Sequence, residues 1–492
     1  MADGRRSTAV DVRDLIIDAG SWESWDAEVG LPDPGVVDAG YADDLRRARE
    51  RAGIDESVIT GLGRIDGVPV VLIVSEFAFL GGSIGAAAGA RVVAALRRAT
   101  AARHPVLALP ASGGTRMQEG TAAFLQMAAI TGAVVEHRSA GLPYLVYLRH
   151  PTTGGVFASW GSLGHLCWAE PGALVGFLGP RVYAGLYGDQ FPDGVQTAEN
   201  LTRVYVLDGV LDASDLRTRL GSVLGLLADA GPPVVGSVAP WALPAVGGPA
   251  ASTAPEDRPP VWESVLATRA GSRAGVEEFL TAAGGVWISE SGPIRLGLSR
   301  FGDRVAVVIG QDRRAQAAGE LIGPAALVRA RRAIAMARSL HLPIVTLVDT
   351  PGAELSVAAE EGGLAAEIAC CMAELIDVPV PTVSVLLGQG GGGAALALFP
   401  ADRRIAVSDA WLSPLPPEGA SLIVHRTTDR AAEVAEQQGI AAVDLADAGI
   451  VDVVVAADDM VAGLPARVAE MLGEIARPDR AGRTRVPNGV HR

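Results

Sequence analysis

Four glycine turns are the features of this chain best placed to do chemistry. In its first half, Ser112-Gly113-Gly114-Thr115 and Thr153-Gly154-Gly155 each follow an apolar run and lead into small residues; Pro351-Gly352-Ala353 and Gly392-Gly393-Ala394 do the same in its second half. Glycine has no Cβ, so a ligand oxygen can approach the bare N–H groups of a first helical turn, where the helix dipole also favours negative charge. Two converging amides make an oxyanion hole suited to an enolate or a tetrahedral oxyanion. Losing one donor typically costs about 3–4 kcal/mol, or roughly 10²–10³ in rate. Glycine pairs also occur wherever a helix packs tightly on a sheet. Repetition in two matched sets favours the functional reading.

The rest of the sequence excludes more than it offers. No lysine occurs, so all 41 basic residues are Arg. This removes Schiff-base chemistry, a phosphate-loop lysine and a lysine carrying biotin or lipoate on this chain. Cys167, Cys370 and Cys371 give neither a zinc spacing nor a disulfide framework, which points to a cytoplasmic protein. The seven histidines lack H-x-x-x-H spacing, and no metal is expected. Only His150 sits directly at a site turn. With 56 acidic residues and a net charge of −15, neither nucleic acid nor an anionic membrane is an expected partner. The stretch Val378–Pro400 is uncharged, but Gly388-Gln-Gly-Gly-Gly-Gly393 at its middle reads as a buried strand, a glycine turn and a helix start. The same run matches G-x-G-x-x-G almost automatically, and the acidic residues beyond it, Asp402 and Asp409, come too early for a dinucleotide site. Gly81-Gly-Ser83-Ile-Gly85 fits G-x-S-x-G, but polar Ser75-Glu76 intervene after the strand, so it reads as a helix start.

The elements that position the turns come in duplicate. Gly63–Gly67 leads into the run Val68–Val74, as Ser299–Asp303 leads into Val305–Ile309 about 236 residues later. Pro105–Pro110 and Pro343–Val348 each open into a glycine turn, as do Leu142–Leu148 and Val380–Leu387, both at offsets near 238. Leu207-Asp-Gly209 matches Ala448-Gly449-Ile450. Short β-branched runs alternate with helical stretches such as Gly85–Arg103 and Pro324–Leu340, the rhythm of parallel sheets with crossover helices. We therefore expect an α/β tandem duplication: an N-terminal helical extension over 1–54, a first unit over 55–230, a linker over 231–260 holding 8 of the 31 prolines, and a second unit over 261–492.

Around the turns the sequence resembles the carboxyltransferase component of biotin-dependent acyl-CoA carboxylases, which is built from two crotonase-like units of the ClpP/crotonase superfamily. The resemblance rests on Ser75–Ser83, Ala111–Gly120, Pro151–Val156 and Ala169–Arg181 in the first half. In the second it rests on Asp349–Ala353, Ala359-Glu-Glu-Gly-Gly363, Gly388–Leu396 and Pro416–Ser421, in the order of a bacterial β subunit followed by an α subunit. It implies transfer of CO₂ from biotin, held on a separate carrier protein, to the α-carbon of a short acyl-CoA, acetyl-CoA giving malonyl-CoA. By the same resemblance, Gly114 or Thr115 with Gly154 and Gly155 would hold the thioester oxygen. Gly352 or Ala353 with Gly393 or Ala394 would hold the biotin ureido oxygen. Arg116 and Arg181, with His150, would bind substrate. Partners would be a biotin carboxyl carrier protein, a biotin carboxylase and further copies of the chain, as a dimer or higher oligomer. Alternatives are a biotin-independent malonyl-thioester decarboxylase and a non-catalytic scaffold subunit. Departures from the family pattern concentrate in the biotin half: Thr350-Pro-Gly-Ala353 continues as Glu354-Leu355-Ser356 without a second Pro-Gly. The zinc ribbon typical of bacterial β subunits is absent from this sequence.

Overall fold

The computed structural model describes residues 7–30, 39–179, 183–185, 188, 190–204, 206–229, 260–288, 291–340 and 342–475. Arg181 and nearly all of the Pro-rich stretch, 231–259, lie outside the described residues. The chain divides into two compact units, Met1–Gly236 with Leu355–Ala366, and Ser237–Glu354 with Glu367–Arg492.

In the first unit the antiparallel hairpin Val58–Ile65 and Val68–Ser75 turns at Asp66-Gly67. These two residues have φ of +50° and +81°, the left-handed pair that a two-residue loop between right-twisted strands requires. Val106–Leu109, Tyr144–Leu148, Leu166–Ala169 and Gly209–Val210 then add in parallel, in that order, while Glu23–Ser24 pairs with the hairpin's free edge. The second unit repeats this plan. Its hairpin Ile294–Phe301 and Arg304–Gln311 turns at Gly302, and Ile344–Thr350, Thr382–Gly391, Arg403–Val407 and Val453–Val455 come next in parallel. Helices Ala86–Ala102 and Gly120–Ser139 make the first crossovers, and Pro324–Leu340 and Leu364–Asp377 their counterparts. The central strands are buried along their whole length, which is why they read as unbroken apolar runs rather than alternating ones.

Register shows the duplication at the level of single residues. The pairs Val71↔Val106 and Val106↔Tyr144 reappear as Val307↔Ile344 and Ile344↔Thr382, at offsets of 236 to 238. An irregularity is copied as well. Past Ala108↔Val146 the first sheet resumes at the bridge Ser112↔Thr152, two residues out of register; past Val348↔Leu386 the second resumes at Thr350↔Gly390, again two out. Extra residues in one strand bend it and re-aim the chain beyond them. In both sheets the segment re-aimed in this way is the second glycine turn. The protein is thus a tandem duplication of one α/β unit.

Two expectations need adjusting. The N-terminal segment is more than a helical extension: beside helices Ala9–Ile16 and Ala39–Ala52 it supplies the edge strand Glu23–Ser24, and Val12, Ile16 and Ile17 join the first unit's core with Leu72, Leu216 and Leu220. The second unit is not continuous either, because Leu355–Ala366 packs with the first, tied there by the buried carboxylate of Glu360. The uncharged stretch Val378–Pro400 forms strand Thr382–Gly391 and helix Gly392–Leu398. Among the described residues no helix is long and apolar enough to cross a membrane.

Candidate active site

Strand Val106–Leu109 delivers the first turn. The Ser112 hydroxyl accepts the Gly114 N–H at 3.0 Å, fixing Gly114 at φ +104°. Ile84 then bridges Thr115: its N–H donates to the Gly114 carbonyl at 2.9 Å and its carbonyl accepts the Arg116 N–H at 3.0 Å. In a parallel bridge of this kind the bridged residue's own N–H points away, and no acceptor among the described residues takes the Thr115 N–H. Strand Tyr144–Leu148 delivers the second turn. Gly154, at φ +64°, donates its N–H to the Phe177 carbonyl at 3.0 Å. Gly155 is the second residue of the helical turn Gly154–Phe157, so its N–H is one that a helix leaves without an internal acceptor. The two turns touch: a Cβ on Gly114 would lie 3.1 Å from the Gly155 nitrogen, and one on Gly155 would lie 3.0 Å from Thr115 Oγ1. Thr115 and Gly155 therefore carry uncommitted amides on turns that are in contact.

The second unit repeats the arrangement. The Thr350 hydroxyl accepts the Gly352 N–H at 3.1 Å, and Ile322 bridges Ala353, with the Glu354 N–H donating to the Ile322 carbonyl at 2.9 Å. No acceptor among the described residues takes the Ala353 N–H. Gly393 and Ala394 carry the second and third amides of helix Gly392–Leu398, which opens at Gly392 with φ +61°. Here too the turns are in contact, since a Cβ on Gly391 would collide with the Pro351 carbonyl.

Within the expected set, some N–H groups are already hydrogen-bonded and others have no acceptor among the described residues. Gly114, Gly154 and Gly352 are not donors, because their N–H groups are spent on Ser112, Phe177 and Thr350. They supply left-handed backbone and close approach instead. Arg116 does not reach outward for substrate. It is 1% exposed and bidentate to Glu56 at 2.6 and 2.7 Å, with further bonds to Glu119, Ser57 and the Ser83 carbonyl. Burial drives the Glu56 carboxyl up and Arg116 more than offsets it, leaving Glu56 below its usual range. Tyr41 donates to Glu119, whose other oxygen accepts the Ala86 N–H at 2.6 Å, so the network clamps the loop that carries Thr115. His150 stands three residues ahead of the second turn, where its Nδ1 accepts the Leu174 N–H at 3.0 Å and its backbone N–H donates to Glu170 at 2.9 Å. Ser83 of the G-x-S-x-G match donates to the Leu80 carbonyl just ahead of helix Ala86–Ala102, as a helix start would have it.

Several residues inside the stretches that carry the resemblance support the site although nothing in the sequence assigned them a role of their own. Ser112 and Thr350 occupy the same place in each repeat, a hydroxyl two residues ahead of a glycine, and the repeat offset alone would have found them. Asp349 bridges the register break in the second sheet: Oδ1 accepts the Gln389 N–H at 3.0 Å and Oδ2 accepts Arg313 Nε at 3.2 Å. Complete burial pushes its carboxyl up to about 6 despite Arg313. Glu360 accepts the Phe177 N–H at 2.8 Å and Gln196 Nε2 at 2.6 Å, and burial holds it above the usual carboxylate range against these bonds. Among the described residues no group of three His, Cys, Asp or Glu side chains is placed to hold a metal ion.

Comparison with known proteins agrees with this architecture. Residues 2–223 match the carboxyl transferase domain family, and residues 272–475 match the acetyl co-enzyme A carboxylase carboxyltransferase-like family. The probable biotin-dependent acyl-coenzyme A carboxylase beta3 subunit of Mycobacterium tuberculosis is 53% identical over 458 residues, covering 92% of this chain and 89% of that protein. The chain belongs to the carboxyltransferases of the biotin-dependent acyl-CoA carboxylases. As such it is an enzyme, which overturns the scaffold alternative. The carboxyltransferase is also 36% identical over 480 residues to the acetyl-coenzyme A carboxylase carboxyl transferase subunits beta/alpha of Saccharopolyspora erythraea, covering 95% of this chain and 83% of that one. Among solved structures, the transcarboxylase 12S hexamer with methylmalonyl-coenzyme A and methylmalonic acid bound aligns at 20% identity and a TM-score of 0.40, over 99% of this chain and 92% of that one.

Proposed function

We propose that this carboxyltransferase acts on a short acyl-CoA, acetyl-CoA giving malonyl-CoA, with the thioester oxygen held by the Thr115 and Gly155 amides. The observation that carries the reading is the pair of uncommitted N–H groups on touching turns in the first unit, repeated in the second at an offset of 238. Such donors stabilise charge that develops on oxygen during enolate formation, and because they are fixed before substrate arrives they need no reorganisation. The Saccharopolyspora relative's name supports acetyl-CoA as the acceptor.

The second site fits a biotin ureido oxygen. It offers the amides of Ala353 and Gly393, with Ala394 beside them, at the start of a helix, where the dipole favours a developing anion. Biotin on a separate carrier protein, when bound, supplies the CO₂ and a base for the α-proton. The chain's own part is to orient both oxygens and hold their negative charge. The reading includes a biotin carboxylase and a carrier as partners, and a homo-oligomer as the working form. Purified chain would be assayed with biotinylated carrier, biotin carboxylase, ATP and bicarbonate against acetyl-, propionyl- and long-chain acyl-CoA. Acetyl-CoA should give the highest kcat/KM. Preference for a long chain, or rapid acetyl-CoA release from malonyl-CoA without any biotin, would overturn the proposal.

A further inference from the structure

We infer that Glu360 is a positioning residue for carboxyl transfer: its carboxylate fixes the peptide of Phe177 and, through it, the Gly154-Gly155 turn that presents a donor to the thioester. The inference rests on the proposed role of Gly155. Its basis is a short chain of hydrogen bonds within the first unit, to which Leu355–Ala366 belongs. Glu360 Oε1 and Oε2 accept the Phe177 N–H at 2.8 and 3.1 Å, and Oε1 also accepts Gln196 Nε2 at 2.6 Å and the Leu178 N–H at 3.4 Å. On the other side of the same residue, the Phe177 carbonyl accepts the Gly154 N–H at 3.0 Å. Gln196 ties the arrangement off by donating to the Leu178 carbonyl at 2.8 Å. Strands Thr152–Thr153 and Val175–Gly176 pair in parallel just before these residues, so the turn and the Phe177 peptide move as one piece.

Stability alone gives no reason for a carboxylate here. Glu360 is 5% exposed, and no cation pairs with it among the described residues; the nearby ion pair uses its neighbour, Glu361 with Arg203. A buried charge without a counter-ion is costly, and an apolar side chain of similar volume would serve packing better. What an apolar side chain cannot do is accept several N–H donors at once with charge-assisted bonds, which lock a peptide more firmly than neutral ones. Hydrogen bonds in series also polarise one another, so the bond from the Leu178 N–H to Glu360 strengthens the Phe177 carbonyl, which shares that amide, as an acceptor for Gly154. With the Gly154 N–H held in this way, the next amide is left fixed and unspent. A donor that can wander loses its catalytic advantage, since misplacement by about 1 Å costs up to 10²-fold in rate.

The test compares Glu360→Leu, Glu360→Gln and Gly155→Ala in the assembled carboxylase, with hydrogen exchange at the Gly154 amide as a second readout. Glu360→Leu removes every acceptor oxygen and should lower kcat by about 10²-fold, with KM for the acyl-CoA within about threefold. Glu360→Gln keeps one acceptor but no charge and should rescue most of this, leaving a loss of about 5- to 10-fold. Gly154 exchange should speed up in the same order. Should Glu360→Leu fail to fold, Glu360→Gln alone decides through its kcat and exchange. Wild-type kcat and exchange in Glu360→Gln, or a loss confined to KM, would overturn the inference. Wild-type kcat in Gly155→Ala would instead overturn the donor assignment on which it rests.

Discussion

Gly155→Ala separates catalysis from folding more cleanly than any other single change in this chain. Position 155 has no left-handed φ, so alanine is allowed there, and as the second residue of a helical turn it gains helix propensity of up to about 1 kcal/mol over glycine. The added methyl meets Thr115 Oγ1 at 3.0 Å and Met127 Cγ and Sδ at 3.2 and 3.4 Å. Met127 is unbranched and can turn aside. Thr115 cannot do so freely, because its peptide is held by the Ile84 bridge, and that peptide carries the other donor. The methyl therefore pushes the two donors apart by a few tenths of an ångström and covers the space where the oxygen should sit. We expect kcat to fall by about 10²-fold, below the roughly 10³ ceiling for outright loss of a donor, with the thermal midpoint shifting by less than about 2 °C. Steady-state carboxylation by the assembled complex gives kcat, and differential scanning calorimetry gives the midpoint. A variant with kcat within twofold of wild type would refute the assignment of Gly155 as a donor.

Two further changes probe the supporting structure. Arg116→Met leaves Glu56 buried without its partner, so we expect a loss of about 3–5 kcal/mol in denaturant unfolding, whereas a residue that merely contacted substrate would change KM and leave stability alone. Asp349 titrates near 6 in the folded protein, against about 3.9 unfolded, so the folded state binds the proton more tightly. Its contribution is fully present below pH 4 and lost as pH rises through 6; relative to Asp349→Asn, the wild type should lose about 3 kcal/mol of stability across that window, and parallel pH profiles of the two proteins would contradict this.

Much of the architecture was legible in the sequence because a duplication states everything twice. Offsets near 238 located both glycine turns in each half, and the same offsets hold in the strand register. The helical stretch Pro324–Leu340 was found with its observed ends, since proline at a helix start and a run of Ala and Arg leave little ambiguity. What could not be read was which amides are already spent. Gly114 and Thr115 look equivalent in a row of letters, and only the Ser112 hydroxyl and the Ile84 bridge tell them apart. Arg116 misled for a related reason: an arginine beside a glycine turn suggests anion binding, but its partner Glu56 lies 60 residues away in sequence. Glu360 sits inside a recognisable stretch, yet its role depends on folding back onto the first unit, against the Phe177 peptide, a contact that no local pattern encodes.

The most direct test is the position of the thioester oxygen in a structure of the carboxyltransferase with an unreactive acyl-CoA analogue bound. The account predicts that this oxygen lies about 2.7–3.1 Å from both the Thr115 and Gly155 nitrogens. An oxygen more than about 4 Å from either nitrogen, with the acyl group otherwise ordered, would contradict it.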